Sequence, residues 1–97
     1  MLVGSLRLDV LLADVRSLKA KRAVLRPLLA ELRRFDVSAA ETGEQDLHRR
    51  AEVGVAVVGS EAGHVRQVLE RCERLVASNP EVELLAARLR VWDDEDE

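Results

Sequence analysis

The apolar residues of this chain change from one spacing to another along its length, and that change limits the folds available to it. Leu6, Leu8, Val10 and Leu12 recur at every second position, which is the period of a strand with one buried face. The apolar residues that follow recur every three or four positions, which is the period of an amphipathic helix. Because a similar progression returns in the second half, the sequence predicts the order strand, helix, strand, strand, helix, strand.

The strands differ in the strength of their patterns. They are predicted over residues 2–12, 36–43, 53–58 and 82–92. The third is a β-branched run typical of a central strand, whereas the second consists of small residues and is a weak pattern. In the fourth, the apolar residues change parity, and a β-bulge near Leu84 and Leu85 would reconcile the two halves.

Two helices are predicted between these strands. Ser17 is a good N-cap for the first, which ends near Phe35. Pro27 lies inside this helix and removes one backbone hydrogen bond, at a cost of about 3 kcal/mol. Because the apolar periodicity crosses Pro27 in phase, we expect a kink there rather than two separate helices. The second helix follows residues 59–60 and ends at residues 79–80.

This order of elements is the split βαβ arrangement of ferredoxin-like domains. We therefore predict an α+β fold of the ferredoxin-like βαββαβ type, with a four-stranded antiparallel sheet and two helices packed on one face. The other face of the sheet is either exposed to water or covered by a partner. Its predicted side chains are those of Arg7, Asp9, Ser38, Ala40, Thr42, Arg88, Arg90 and Trp92.

The acidic residues are concentrated at the C-terminus. The formal net charge is −3, but residues 93–97 supply five of the 18 acidic side chains in an unbroken run. The remaining chain has 13 acidic and 15 basic residues, a net charge of +2. Like charges in such a run repel one another. We predict a single domain over residues 1–92 and a disordered acidic tail over residues 93–97.

The single cysteine and the absence of a long apolar run indicate where the protein acts. Cys72 cannot form an intramolecular disulfide, which favours a reducing compartment. Arg7 and Asp9 interrupt the first apolar run before it could span a bilayer. We expect a cytoplasmic protein with no membrane partner, and we expect Cys72 to lie in the core.

A group of cations in the first predicted helix is the main candidate binding site. Its members are Lys19, Lys21, Arg22, Arg26 and Arg33. All except Lys21 fall within about 60° of one another around the helix, beside its apolar face. They could bind phosphates or an acidic partner, or they could form a solvated edge whose stems cover apolar neighbours. Lys21 points nearer the apolar face, and we expect it to reach the end of the sheet or pair with a carboxylate such as Asp14.

The loop before the third strand is a second candidate site. Asp46, His48, Arg49 and Arg50 could recognise a partner. The alternative is a turn in which Asp46 bonds nearby backbone amides and Arg50 pairs with Glu41 or Glu52.

Several functional classes lack their residues here. His48 and His64 have no partners at the spacing of a catalytic triad or a metal site, and no glycine-rich phosphate loop is present. We therefore expect no enzyme activity, no metal and no small-molecule cofactor. RNA-recognition motifs stack bases on aromatic residues of central strands. The only aromatic residues here, Phe35 and Trp92, end a predicted helix and a predicted strand, which excludes that mode.

Four segments of the chain resemble the YlxP-like family of small bacterial proteins: 17–22, 37–41, 43–47 and 50–56. The resemblance runs nearly end to end and implies a ferredoxin-like fold in a bacterial cytoplasmic protein. Genes of this family often lie among translation and ribosome-maturation genes, which implies ribosomal RNA or a ribosome-associated protein as a partner. The chain departs from the family at Pro27 and at His48, where an aromatic residue is usual. The resemblance carries over no catalytic residues.

Two functional hypotheses follow. The first is a small non-catalytic accessory protein that associates with RNA or the ribosome through the cations of the first helix. The alternative is a homo-oligomeric interaction module, such as a homodimer, that uses the open sheet face and has no nucleic-acid role.

Overall fold

The computed structural model describes residues 1–96 and confirms the predicted order of elements. The elements are β1 Leu2–Leu12, α1 Leu18–Arg33, β2 Ser38–Gly43, β3 Arg50–Gly59, α2 Ala62–Ala77 and β4 Val82–Asp93. The strands form one antiparallel sheet in the order β2-β3-β1-β4. The fold is therefore the predicted ferredoxin-like α+β arrangement. β3 begins three residues earlier than the valine run because Arg50 already pairs with Leu11.

The core forms between the inward face of the two central strands and the two helices. Leu6 and Leu8 of β1 pair with Val55 and Val53 of β3, and all four side chains are buried. Leu28 of α1 and further residues of α2 belong to the same buried cluster. Burying a side chain of this kind contributes about 1.5–3 kcal/mol. The period-two pattern of β1 therefore brings the helices onto one face of the sheet.

Helix α1 begins directly after Ser17, the predicted N-cap, and continues through Pro27. Ser17 is extended, and its Oγ accepts a hydrogen bond from the Ala20 N–H at 3.0 Å. α1 is a single helix from Leu18 to Arg33, with Pro27 on its exposed side. The alternative of two separate helices is excluded, whereas the kink stays a prediction.

A β-bulge at Leu85 determines which side chains of β4 face the helices. Asp9 pairs with Ala86, while the next residue, Val10, pairs with Leu84. Leu85 is therefore the extra residue of a bulge, as predicted. The bulge lets Val82 and Leu84 on one side of it, and Leu89 and Val91 on the other, pack against the core. Arg88, Arg90 and Trp92 consequently lie on the opposite, open face of the sheet.

The predicted boundary between domain and tail falls one residue inside β4, because β4 ends at Asp93. The Met1 ammonium lies 2.7 Å from Asp94 Oδ1 and 3.6 Å from Asp93 Oδ1. The hydrogen bond with Asp94 raises the pKa of the Met1 amino group, and the Glu95 backbone N–H lowers the pKa of Asp93. Residues 93 and 94 are thus held at the end of β1, and residue 97 lies outside the described residues.

Helix α2 packs directly on the backbone of β1 at Gly4. A Cβ atom added there would lie 2.4 Å from Val65 Cγ1 and 2.8 Å from Leu69 Cδ1. Both of these side chains are fully buried, so they have little room to move.

Within residues 1–96, neither helix is long and apolar enough to cross a membrane.

Two glycine substitutions should therefore change stability in opposite directions. Gly4→Ala should lower the free energy of unfolding by about 1–3 kcal/mol, because the added methyl overpacks the contact with α2. Gly63→Ala is the control, since among residues 1–96 no atom outside its own stretch of the helix lies within 4 Å of a Cβ there, and alanine is the better helix former by up to about 1 kcal/mol. Urea denaturation of both variants measures the difference. A Gly4→Ala protein as stable as the wild type would contradict this packing.

Candidate functional site

Lys21 is the only charged side chain that is buried within the described residues, with 2% of its surface exposed. Its Nζ lies 2.8 Å from Glu41 Oε2 and donates hydrogen bonds of 2.7 Å to the carbonyl oxygens of Glu44 and Leu47. Two donors of the ammonium group thus go to carbonyl oxygens, and the Glu41 carboxylate supplies the opposite charge. Lys21 therefore does not belong to the exposed cationic surface predicted for this helix. Its partner is a carboxylate, as expected, but it is Glu41 rather than Asp14.

The contacts of Lys21 fix the segment that we call the anchored loop, residues 44–49. Glu44 has a left-handed backbone with φ of 62°, a conformation that costs a residue with a Cβ about 1–2 kcal/mol. Its carbonyl accepts hydrogen bonds from both Lys21 and the Leu47 N–H, which offset that cost. Arg49 closes the other end, because its Nε donates to the Leu12 carbonyl at 3.2 Å. The loop is thus tied to both α1 and the end of β1.

All four loop candidates are exposed, and of these Arg49 has the structural role just described, whereas Asp46, His48 and Arg50 do not. Among residues 1–96, the Asp46 side chain makes no hydrogen bond and Arg50 makes no ion pair. Glu41 binds Lys21 instead, and Glu52 accepts a hydrogen bond from Thr42. A turn does form, since the Leu47 N–H donates to the Glu44 carbonyl, but within residues 1–96 it lacks the Asp46 and Arg50 contacts that the sequence analysis suggested, and Lys21 contacts its backbone instead.

Arg33 is also engaged within the protein. Its Nε and Nη2 donate to the Ala39 carbonyl at 3.1 and 2.8 Å. Ala39 lies in β2, an edge strand, and edge strands expose backbone groups that other chains can pair with. Arg33 binds one such acceptor, so its guanidinium is hydrogen-bonded to the sheet although the residue remains exposed.

Three of the predicted residues remain free to bind a partner: Lys19, Arg22 and Arg26, which we call the α1 cationic surface. All three are exposed, and none makes an ion pair or a side-chain hydrogen bond in the part of the chain that the structure describes. They lie at positions i, i+3 and i+7, so they share one side of α1. Arg33 lies on the same side and reaches β2, which places this surface along the β2 edge of the sheet.

The open sheet face carries an arrangement that sequence reasoning missed. Arg7 of β1 lies directly opposite Arg88 of β4, and Ser5 lies opposite Arg90. The sequence analysis placed these arginines on the open face but did not pair them, because pairing depends on strand order and on the bulge at Leu85. Only the register could have revealed that like charges face each other.

Cys72 is fully buried, as expected for a core residue. Burial raises the pKa of its thiol, and the nearby Arg71 lowers it by less. The thiol is therefore protonated at neutral pH and unsuited to nucleophilic attack. In residues 1–96, no three His, Cys, Asp or Glu side chains come together as a group that could hold a metal ion.

The burial of Cys72 predicts its reactivity. Iodoacetamide at pH 8 should label native Cys72 far more slowly than the same residue in urea, because the native thiol is inaccessible and its pKa is raised. Mass spectrometry of the labelled chain over time measures both rates. Equal rates in native and unfolded protein would contradict a core position for this thiol.

The buried ion pair predicts a specific loss of stability. Lys21→Met should lower the free energy of unfolding by about 3 kcal/mol, because it leaves the Glu41 carboxylate without its cation and the Leu47 carbonyl without its donor. It should also accelerate amide exchange in the anchored loop. Lys19→Met in the same helix is the control and should change stability by less than about 0.5 kcal/mol. Urea denaturation and hydrogen exchange test this, and similar values for the two variants would refute the anchoring role.

Comparison with known proteins supports the family resemblance that four segments of the sequence indicated. Residues 3–89 match the family described as Protein of unknown function (DUF503). The chain is 34% identical over 88 residues to Uncharacterized protein YlxP of Bacillus subtilis (strain 168). That alignment covers 90% of this chain and 96% of its relative. Because the family match spans most of its length, this protein belongs to the DUF503 family, whose YlxP-like members its sequence resembles.

Proposed function

We propose that this protein is a non-catalytic accessory factor that binds ribosomal RNA, free or within the ribosome, through the α1 cationic surface. The observation that carries the proposal is the set of three exposed cations on one side of one helix, Lys19, Arg22 and Arg26, which have no side-chain partner within residues 1–96. Lys21 and Arg33, which the sequence analysis included, are engaged inside the protein and are left out of the proposed contact.

The chemistry of this surface favours phosphate groups. Arginine supplies a planar set of donors that matches phosphate oxygens, and two of the three cations are arginine. Lys19 and Arg26 are seven positions apart on the helix, which is a distance of about 10 Å along the axis. Such a surface contacts the sugar-phosphate backbone and positions a nucleic acid without reading its sequence.

The ribosomal partner rests on the family resemblance. The genes of YlxP-like proteins often lie beside those for initiation factor two and ribosome-binding factor A, an association that indicates a role near the ribosome. A cytoplasmic location belongs to the same proposal, and the lone reduced Cys72 agrees with it.

A second candidate function is self-association through the open sheet face, without any role for nucleic acid. One observation favours it: the face places a groove of small side chains beside the side chains of Arg7, Arg88 and Arg90. Exposed apolar surface that is rimmed by polar residues marks protein interfaces, and this groove is the exposed apolar part of the sheet face.

The RNA proposal predicts salt-dependent co-sedimentation with ribosomal subunits and with free ribosomal RNA. Arg22→Glu/Arg26→Glu should abolish the association. In the wild type, the logarithm of the binding constant should fall with that of salt concentration, with a slope of about 0.7–0.9 for each phosphate contact. Arg66→Glu/Arg74→Glu on α2 is the control, since it changes the net charge by the same amount on the other helix.

Two results would contradict the proposal. Equal loss of binding in both double variants would mean that net charge alone matters, and no binding by the wild type at low salt would remove the RNA role. Thermal denaturation of each variant checks that it is folded.

A further inference from the structure

Three arginine side chains lie together on the open face of the sheet, and we call them the arginine cluster: Arg7 of β1 with Arg88 and Arg90 of β4. Arg7 lies directly opposite Arg88, and Ser5 lies directly opposite Arg90, so these residues occupy two adjacent rows about 7 Å apart. All three arginines are exposed. With Ser5 they line a depression of about 270 Å³, and no carboxylate of residues 1–96 contributes to its lining.

The charge of the arginine cluster is poorly compensated within the protein. Arg7 and Arg88 face each other, and like charges in that position destabilise a sheet. In the part of the chain that the structure describes, the one ion pair of these arginines joins Arg7 Nε to Glu52 Oε1 at 3.9 Å, which is too long for a hydrogen bond. The cluster therefore has more positive charge than the protein neutralises there.

Carboxylates of the same face lie to one side of the cluster and confine its positive charge. Asp9 and Glu52 face each other in the next row beyond Arg7, on the side away from the depression. The row after that holds Glu83 and also Arg50. An extended polyanion along the strands would therefore meet the carboxylates of Asp9 and Glu52. The positive region spans only two rows, which suits a compact anion.

We propose that the arginine cluster binds the phosphate group of a small organic phosphomonoester. Guanidinium groups match phosphate oxygens through paired, parallel hydrogen bonds. A phosphomonoester carries a charge of about −1.5 to −2 at pH 7 and has three acceptor oxygens. It therefore suits three guanidinium groups around one depression better than a carboxylate or an RNA phosphodiester, which carry a single charge.

The rest of such a ligand has a place beside the phosphate. A groove of about 330 Å³ adjoins the depression, and Ser5 and Arg7 line both. Most of the remaining lining is uncharged and small, with Glu52 at one end: Ser38, Ala40, Gly54 and Ala56. Binding sites for small molecules commonly combine an apolar lining with a few charged groups. The groove can thus hold the uncharged part of the phosphomonoester.

This inference goes beyond both candidate functions. It is independent of RNA binding, because the two helices, and with them the α1 cationic surface, lie on the other face of the sheet.

A titration of the ¹⁵N-labelled full chain with methyl phosphate, at neutral pH and constant ionic strength, tests the proposal. Saturable chemical-shift changes should centre on the amides of Ser5, Arg7, Arg88 and Arg90. Arg88→Gln should weaken binding by about ten-fold or more, because a hydrogen bond to a charged group is lost. Arg74→Gln is the control, since it removes the same charge from an exposed position on α2, and it should bind like the wild type.

Two further ligands identify the chemical class. Dimethyl phosphate, a diester with one charge, should bind about ten-fold more weakly than methyl phosphate. Phenyl phosphate should bind more tightly than methyl phosphate, because its ring enters the groove. Ala40→Phe, which fills the groove, should remove that difference.

Urea denaturation separates loss of binding from loss of folding. Arg88→Gln should unfold at the same urea concentration as the wild type or at a higher one, because it removes a like-charge pair. Its co-sedimentation with ribosomal RNA should also be unchanged, since the α1 cationic surface is intact.

Several results would overturn the proposal. No saturable shift in the wild type, or equal affinity in the wild type and Arg88→Gln, would remove the site. Equal affinity for methyl and dimethyl phosphate, or an equal loss in Arg74→Gln, would mean a general attraction for anions. Loss of ribosomal RNA binding in Arg88→Gln would make RNA, and not a small molecule, the ligand of the cluster. Phenyl phosphate that binds no tighter than methyl phosphate would overturn the role of the groove alone.

Discussion

The Lys21 ammonium links three parts of the chain that are far apart in sequence, and the arrangement at this end of the molecule depends on it. It joins α1 to the Glu41 carboxylate of β2 and to two carbonyls of the anchored loop. A buried charge that loses its partners costs several kcal/mol, so the contacts of Lys21 oppose rearrangement of this end. The cations of α1 therefore have two different roles. Lys21 faces inward and holds the anchored loop, whereas Lys19, Arg22 and Arg26 stay exposed.

Local patterns were sufficient to predict the fold. The alternation in β1, the Ser17 cap and the parity change at Leu85 each depend on a few neighbouring residues, and the structure contains all three. The inward direction of Lys21 also followed from helical rotation. Its partner could not be predicted, because Asp14 and Glu41 are both plausible in sequence and only the position of β2 decides between them.

The candidate site was predicted less completely, for a related reason. Arg33 has the same rotation around α1 as Arg22 and Arg26, so the sequence gives it the same role. What separates them is the Ala39 carbonyl on an edge strand, which exists only once the sheet is assembled. The opposition of Arg7 and Arg88 is equally invisible in the sequence, since it depends on β1 lying between β3 and β4.

Because of the bulge at Leu85, the face on which each later side chain of β4 lies depends on the number of residues in the strand. Residues before it and after it present their apolar side chains to the helices on opposite parities, and one unpaired residue reconciles them. Loss of a single residue between 86 and 92 would shift the side chains beyond it by one position, turning Leu89 or Val91 outward and an arginine inward. The arginines and Trp92 of the open face are therefore maintained by the length of this strand as well as by its composition.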